Sequence, residues 1–426
     1  MQDYLSPLLE FLRIDTTSAK GKGAEGAKWL RDFMQDRSVN AELIPWPNTN
    51  PYVIGEINVG SDRTLLIYNH YDVQPAEPLD KWDSDPFNPV VKDGRIYARG
   101  VADDKGTLMA RLLKVIELWK AGELKVNVKF VYEGEEEIGS PHAFEFLSKF
   151  RERLRGDWLL WEGSGRAPNG APEVVLGVKG LLYVELRART AKDLHSMYSP
   201  IADNPMWRIV YFLSEVRRPD GYVNLPGFYD KVRWLSREEL EYLNLDPELL
   251  AKAIGQEVKD GLAYVRLVSM PSLNIDGALT GYTGEGSKTV IPSYAFVKLD
   301  FRLVPDQDPE EVFKELQEVA SKYGLELVKL GSVRPFRTPM SSRIAQALIR
   351  AAERVYGVRP VVMPNSPGTG PMESFSRALG IKEIADGAGV VNYDSNIHSF
   401  NENAPVEDYY LAMKWAEEMI KELSSG

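Results

Sequence analysis

Over residues 1 to about 177, short apolar segments alternate with amphipathic ones, and this alternation constrains the fold more than any other feature of the chain. Asn40–Pro45, Tyr52–Asn58, Thr64–His70, Val126–Glu133 and Asp157–Glu162 read as strands. The stretches near 3–14, 24–37, 106–121 and 142–154 repeat apolar side chains at helical spacing. Strands separated by helices predict an α/β fold with a mostly parallel, doubly wound sheet. Such a sheet carries its working groups just past the carboxyl ends of its strands.

After Gly177 the pattern changes. Leu181–Thr190 and Ala295–Leu303 alternate apolar with polar residues, as half-solvated antiparallel strands do. Helices are predicted over 205–217, 237–257 and 309–323, a strand over 325–330, and an irregular stretch over 219–235. From Ser332–Pro339 the first pattern resumes, with helices 342–357, 372–379 and 406–423 and strands 360–364 and 381–386. The expected organisation is a metal-binding catalytic domain of residues 1–177 and 334–426, interrupted by an α+β lid and dimerisation domain of residues 178–333.

The chain has no cysteine and four histidines, His70, His142, His195 and His398. This excludes disulfides, thiolate metal clusters and a thiol nucleophile, so any metal site must use imidazole and carboxylate. The formal charge of −11, without a block of lysine or arginine, argues against nucleic acid as a partner. No apolar run approaches the roughly 18 residues of a membrane span, and no membrane partner is expected. The N-terminal segment has an acidic residue where a signal peptide is basic, so a cytoplasmic protein is expected.

Candidate chemistry collects at the predicted strand ends. His70 closes one strand, and Asp72 follows on the same side, placed to accept a ring proton and free the other nitrogen for a metal. Asp103 and Asp104 stand between glycines before a helix. Acidic residues there are commonly caps, but flanking glycines also permit a ligand-bearing turn. Glu133, Glu135, Glu136 and Glu137 crowd four carboxylates into five residues after a strand, a repulsion that a cation would relieve. Glu162 ends another strand, and His398 lies in a polar loop before the terminal helix. These nitrogen and oxygen donors suit Zn²⁺, Co²⁺ or Mn²⁺ and suffice for two ions sharing a carboxylate. Dinucleotide-binding glycines, a P-loop, the His-Glu-x-x-His zinc motif and a nucleophile elbow are all missing from the sequence.

Taken together, His-Tyr-Asp-Val-Gln-Pro (70–75), Ala-Asp-Asp-Lys-Gly (102–106), Glu-Gly-Glu-Glu-Glu-Ile-Gly-Ser (133–140), Asp-Leu-His-Ser (193–196) and Arg-Leu-Val-Pro (302–305) resemble the M20 dinuclear metallohydrolases, the aminoacylase-1/carboxypeptidase G2/carnosinase family. The dipeptidase/carnosinase branch is closest, through HYDVQP, Leu225–Tyr229 and Gly281–Gly286. The resemblance implies two divalent ions per chain, zinc first, with cobalt or manganese as substitutes. His70 and Glu162 would complete one metal site, Glu137 and His398 the other, and Asp103 would bridge both. It further implies Glu136 as general base, Asp72 as the residue orienting His70, and a cis peptide at Asp103–Asp104. His195 would hold the oxyanion of the tetrahedral intermediate from the other subunit of a homodimer. Arg302, with Gly368, Thr369 and Gly370, would grip the substrate's terminal carboxylate. The family's glycine after Asp-Leu-His-Ser is Met197 here, and His142 matches no family role and reads as a surface histidine at a helix start. The implied reaction is amide hydrolysis of dipeptides or of the C-terminal residue of short peptides. An N-acyl-amino-acid deacylase of the acetylornithine or succinyl-diaminopimelate type, and a non-catalytic binding protein on the same scaffold, are the alternatives.

Overall fold

The computed structural model describes residues 3–425. Its central sheet has eight strands in the spatial order Asn40–Ile44, Tyr52–Ile57, Asn127–Glu133, Thr64–His70, Trp158–Trp161, Glu383–Asp386, Glu173–Val175, Val361–Met363. Its middle pairings are parallel, as expected. The sheet as a whole is mixed, because Asn40–Ile44, Tyr52–Ile57 and Asn127–Glu133 pair antiparallel. The link 45–51 is too short for the crossover that a parallel pair needs.

Strand residues alternate between two apolar layers. Leu65, Ile67, Val128, Phe130 and Leu160 pack on one face with Leu112, Leu348 and Trp415 of the helices Lys105–Lys120, Arg343–Tyr356 and Val406–Ser424. Leu66, Tyr68, Val131, Leu159 and Trp161 pack on the other with Phe146 and Phe375 of Ala143–Lys149 and Met372–Leu379. Because both faces are covered, the strands read as nearly continuous apolar runs.

A second sheet takes its strands from between these stretches, in the order Ser272–Thr280, Tyr294–Leu303, Gly177–Arg189, Glu326–Val333, every neighbour antiparallel. One face is buried: Leu182, Val184, Leu186, Val297, Leu299 and Phe301 pack against Ile209, Phe212 and Leu316 of two covering helices. Tyr294–Leu303 alternates partly exposed with buried residues along its whole length, which is the period-2 signal the sequence carries. The predicted helix 237–257 is broken into Arg237–Tyr242 and Pro247–Ile254. Asp246 caps the second piece, Pro247 starts it, and Gly255 closes it in the left-handed region.

Gly177–Arg189 begins earlier than the predicted Leu181. Its first residues leave the second sheet and pair with Phe336–Arg337 and with Ser366–Thr369. This strand therefore ties the second sheet to the segment that follows Val361–Met363, the edge strand of the first, and sets Lys179 beside Thr369. Among the described residues no helix is long and apolar enough to cross a membrane.

Candidate metal centre

Parallel pairing sets His70 opposite Glu133, so the chain beyond each strand turns into one shared space. Glu136 and Glu137 follow from Glu133 in a short turn, and Glu162 follows directly on Trp161. Asp103 reaches the same space from the loop before Lys105–Lys120, and His398 from the loop before Asn403–Pro405. His70 Nε2 lies 3.1 Å from Asp103 Oδ1 and 3.7 Å from Glu136 Oε2. His398 Nε2 lies 3.0 Å from Asp103 Oδ2 and 3.0 Å from Glu137 Oε2. The two oxygens of Asp103 thus face different histidines.

Donor atoms of His70, Asp103 and Glu137 lie within 4.8 Å of one another, as do those of His70, Glu136 and Glu162. An ion about 2.0–2.2 Å from each ligand separates its donors by roughly 3–4 Å, so this donor set fits divalent ions. The Asp103–Asp104 peptide is cis.

The electrostatics follow from crowding. Burial alone would raise Asp103, yet hydrogen bonds from His398 and His70 hold its carboxyl well below the usual range. Hydrogen bonds to Asp103 and Glu137 push His398 up to about 10. Burial works against a charged His70, but the Glu136 charge and the hydrogen bonds to Asp103 and Asp72 keep its pKa well above the ordinary value. Burial, helped by the neighbouring Asp103 charge and opposed by His70, pushes Glu136 up to about 7. Glu162 is raised well above its ordinary value by burial and by Glu136. A cluster in which several carboxylates favour a proton is one that divalent cations stabilise.

The side chains around the donors are fixed in turn. Asp72 is fully buried: its carboxylate accepts the backbone N–H of Glu136 at 3.2 Å and of Glu137 at 3.0 Å, and lies 3.3 Å from His70 Nδ1. Gln74 Nε2 donates to Glu137 Oε2 at 2.9 Å, and Asn69 Nδ2 to Asp104 Oδ2 at 2.7 Å. Of the four crowded glutamates, two are spent elsewhere. Glu133 accepts from the Tyr68 hydroxyl, and Glu135 pairs with His142 Nδ1 at 2.8 Å. His142 sits at a helix start as expected, but it is partly buried and holds a buried carboxylate.

Gln74, Asn69 and the buried pair Arg99–Glu402 carry structural work that the sequence reading did not assign. Gln74 lies inside the HYDVQP motif, which is the one signal that points to it. The others act between residues far apart in the chain.

Beside the donors opens a cavity of about 270 Å³, lined by Asp103, Glu136, Glu162, Gly368, Thr369 and Gly370 among others. At its edge Arg302 Nη1 donates to Thr369 Oγ1 at 2.8 Å, which brings together the expected carboxylate-binding residues. His195 stands apart from the cluster. It is exposed, on a two-residue bridge with Val290–Ile291, and its Nδ1 accepts the N–H of Met197 at 3.0 Å. That bond leaves Nε2 to carry the proton.

An α/β fold that gathers two histidines and several carboxylates at its strand ends, with a shared aspartate and a free carboxylate alongside, defines a metal-dependent hydrolase. Comparison with known proteins makes this specific. Residues 66–422 match peptidase family M20/M25/M40, and the chain belongs to that family. It is an enzyme of the M20 metallopeptidase type. The M20 family metallo-carboxypeptidase Sso-CP2 from Sulfolobus solfataricus is 44% identical, with a TM-score of 0.86 and all of both chains covered. The Cys-Gly metallodipeptidase dug1 of Schizosaccharomyces pombe is 27% identical over 94% of this chain and 88% of its own length. The Beta-Ala-His dipeptidase of Homo sapiens is 29% identical over 85% of this chain and 75% of its own.

Proposed function

We propose that the protein hydrolyses the amide bond of dipeptides, or releases the C-terminal residue of short peptides, with two zinc ions at the His70, Asp103, Glu162, Glu137 and His398 donors. The observation that carries the reading is the placing of the two Asp103 oxygens against His70 and His398, with Glu136 alongside. When bound, the ions polarise the scissile carbonyl and acidify water.

The chain's own residues then have distinct tasks. Glu136 takes a proton from the attacking water and passes it to the amide nitrogen as the C–N bond breaks. A carboxylate beside the attacking water can make both transfers, accepting the proton first and returning it to the leaving nitrogen. Asp72 holds His70 and the Glu136–Glu137 backbone in place. Arg302 binds the terminal carboxylate through its fork, with Gly368, Thr369 and Gly370 lining the same wall. His195 donates its Nε2 proton to the developing oxyanion.

Because His195 is exposed and no hydrogen bond joins it to its own cluster among the described residues, we assign it to the site of a second subunit. Residues 178–333 would then be the lid and dimerisation domain. Their exposed Met197, Ile201, Trp207 and Tyr211 support a homodimer contact there. A cytoplasmic location belongs to the same proposal.

The names of the relatives favour a peptide over an N-acyl amino acid, and a complete donor set with its base argues against a non-catalytic binding protein. The test is a panel of dipeptides, longer peptides and N-acyl amino acids assayed under Zn²⁺, Co²⁺ and Mn²⁺. Release of the C-terminal residue from peptides supports the reading, and turnover confined to N-acyl amino acids overturns it.

A further inference from the structure

Glu402 follows His398 by four positions, in a stretch that the sequence motifs leave without a role. Its side chain is fully buried, and each carboxylate oxygen accepts two N–H groups. Oε2 takes Arg99 Nη1 at 2.8 Å and the Gly100 amide at 2.9 Å. Oε1 takes the amides of Ala102 and Asp103, both at 3.0 Å. The backbone around Glu402 is zipped onto the same loop. Asn403–Pro405 pairs antiparallel with Arg95–Tyr97, and the Ala98 N–H donates to the Glu402 carbonyl. Arg99, itself buried, also donates from Nη2 to the Pro75 carbonyl, at the end of the segment that carries His70 and Asp72.

We infer that the Glu402 carboxylate, with Arg99, is the positioning element that registers three ligand-bearing loops, those of His70, Asp103 and His398, and so assembles both metal sites at once. The inference rests on the metal-site reading above. Its physical basis is the count of donors. Four N–H groups converge on one carboxylate, which is the full acceptor capacity of that group, and two of them belong to the peptide units on either side of Ala102. Asp103 is thereby held with one oxygen toward each histidine. A glutamine at position 402 has the same volume but a single acceptor oxygen. Its amide N–H₂ would face two N–H donors, so one half of the grip must open. An opening at Oε1 frees the amides of Ala102 and Asp103, and one at Oε2 frees Gly100 and the Arg99 that also holds Pro75; either loosens the loop of Asp103, the ligand both ions share, so both binding steps weaken together.

The test is Glu402→Gln, purified, stripped with chelator, and titrated with zinc against a chromophoric competitor, with thermal unfolding of the metal-free protein recorded in parallel. The expected result is a folded protein in which both zinc-binding steps weaken about 10- to 100-fold. At saturating zinc, kcat falls while KM for a dipeptide changes little. Glu402→Asp keeps the charge opposite Arg99 and reports by the same criterion should the glutamine variant not fold. A purely structural role lowers the unfolding temperature of the metal-free protein but leaves zinc affinity intact. Wild-type affinity at both steps in either folded variant overturns the inference. Loss of zinc affinity without any peptide hydrolysis by the wild type would leave the positioning role standing and remove the peptidase reading.

Discussion

Replacing Asp72 by asparagine is the perturbation that most cleanly separates the site's framework from its chemistry. Three N–H groups approach this buried carboxylate: the Glu136 amide at Oδ1, the Glu137 amide at Oδ2, and His70 Nδ1, which lies 3.1 Å from the Asp72 carbonyl and 3.3 Å from Oδ1. An asparagine keeps the shape but can accept on one side only. On the other side its N–H₂ meets a backbone N–H, so one charge-assisted bond of about 1.5–3 kcal/mol disappears and a buried donor is left unpaired at about 1–3 kcal/mol. Their sum, roughly 2.5–6 kcal/mol, is an upper figure, because the turn 136–138 can shift to relieve the contact. The protein should therefore fold with reduced stability, bind zinc about 10- to 100-fold more weakly and lose turnover. Urea unfolding of the metal-free protein and a zinc competition titration read the two effects separately. An asparagine variant with wild-type zinc affinity and wild-type kcat would refute the claim that Asp72 orients His70, Glu136 and Glu137.

Arg302→Met should lower kcat/KM for free-acid dipeptides about 10- to 100-fold, mostly through KM, because one charge-assisted bond to carboxylate is lost. C-terminally amidated peptides, compared in the same assay, should lose far less, and equal losses would count against the assignment. His195→Ala should cut kcat about 10²- to 10³-fold with zinc content unchanged. Mixing it with Glu136→Ala subunits should restore part of the activity if the histidine serves a partner's site, and an inert mixture would contradict that. Lys179, buried at 4% exposure, is brought down from 10.5 to about 8 by burial and by Arg302. Between those pH values the unfolded chain holds the proton and the folded one does not, so this group's contribution to stability rises with pH, by at most about 1.4 kcal/mol per unit. In urea unfolding from pH 8 to 10, wild type should gain on Lys179→Met, and a constant difference would show that the lysine is not perturbed.

Most of the candidate site is legible because four of its six donor and base residues follow strands that the sequence marks clearly. His70, Glu136, Glu137 and Glu162 are reached by counting from strand ends, and Asp103 by its place before a helix. Neighbouring strands in parallel register bring such positions together. What joins them was not legible. Glu402 meets the loop of Asp103 across a separation of 299 residues, and no local pattern marks a carboxylate whose partners are backbone amides.

The first sheet is mostly parallel, as expected, and where single elements depart from expectation the causes are similarly local. The antiparallel pairing of Asn40–Ile44 with Tyr52–Ile57 follows from the tight link 45–51. Ser272–Thr280 carries no strand signal in the sequence. It is an edge strand with most residues exposed, so it lacks the alternation that revealed Tyr294–Leu303. The predicted helix 237–257 runs across Asp246–Pro247, where a capping residue followed by proline marks the start of a separate helix. Proximity of Arg302 to Thr369 depends on Gly177–Arg189 pairing with both Tyr294–Leu303 and Ser366–Thr369, long-range pairings without a sequence signature.

The central claim is that Glu136 moves the proton while other residues hold the metals. The most direct measurement is Glu136→Ala, purified free of contaminating peptidase, with bound zinc and dipeptide turnover determined on the same sample. The account predicts two equivalents of zinc per chain and a kcat lowered by at least about 10²- to 10⁴-fold. Wild-type turnover in that sample, or loss of zinc in proportion to activity, would contradict it.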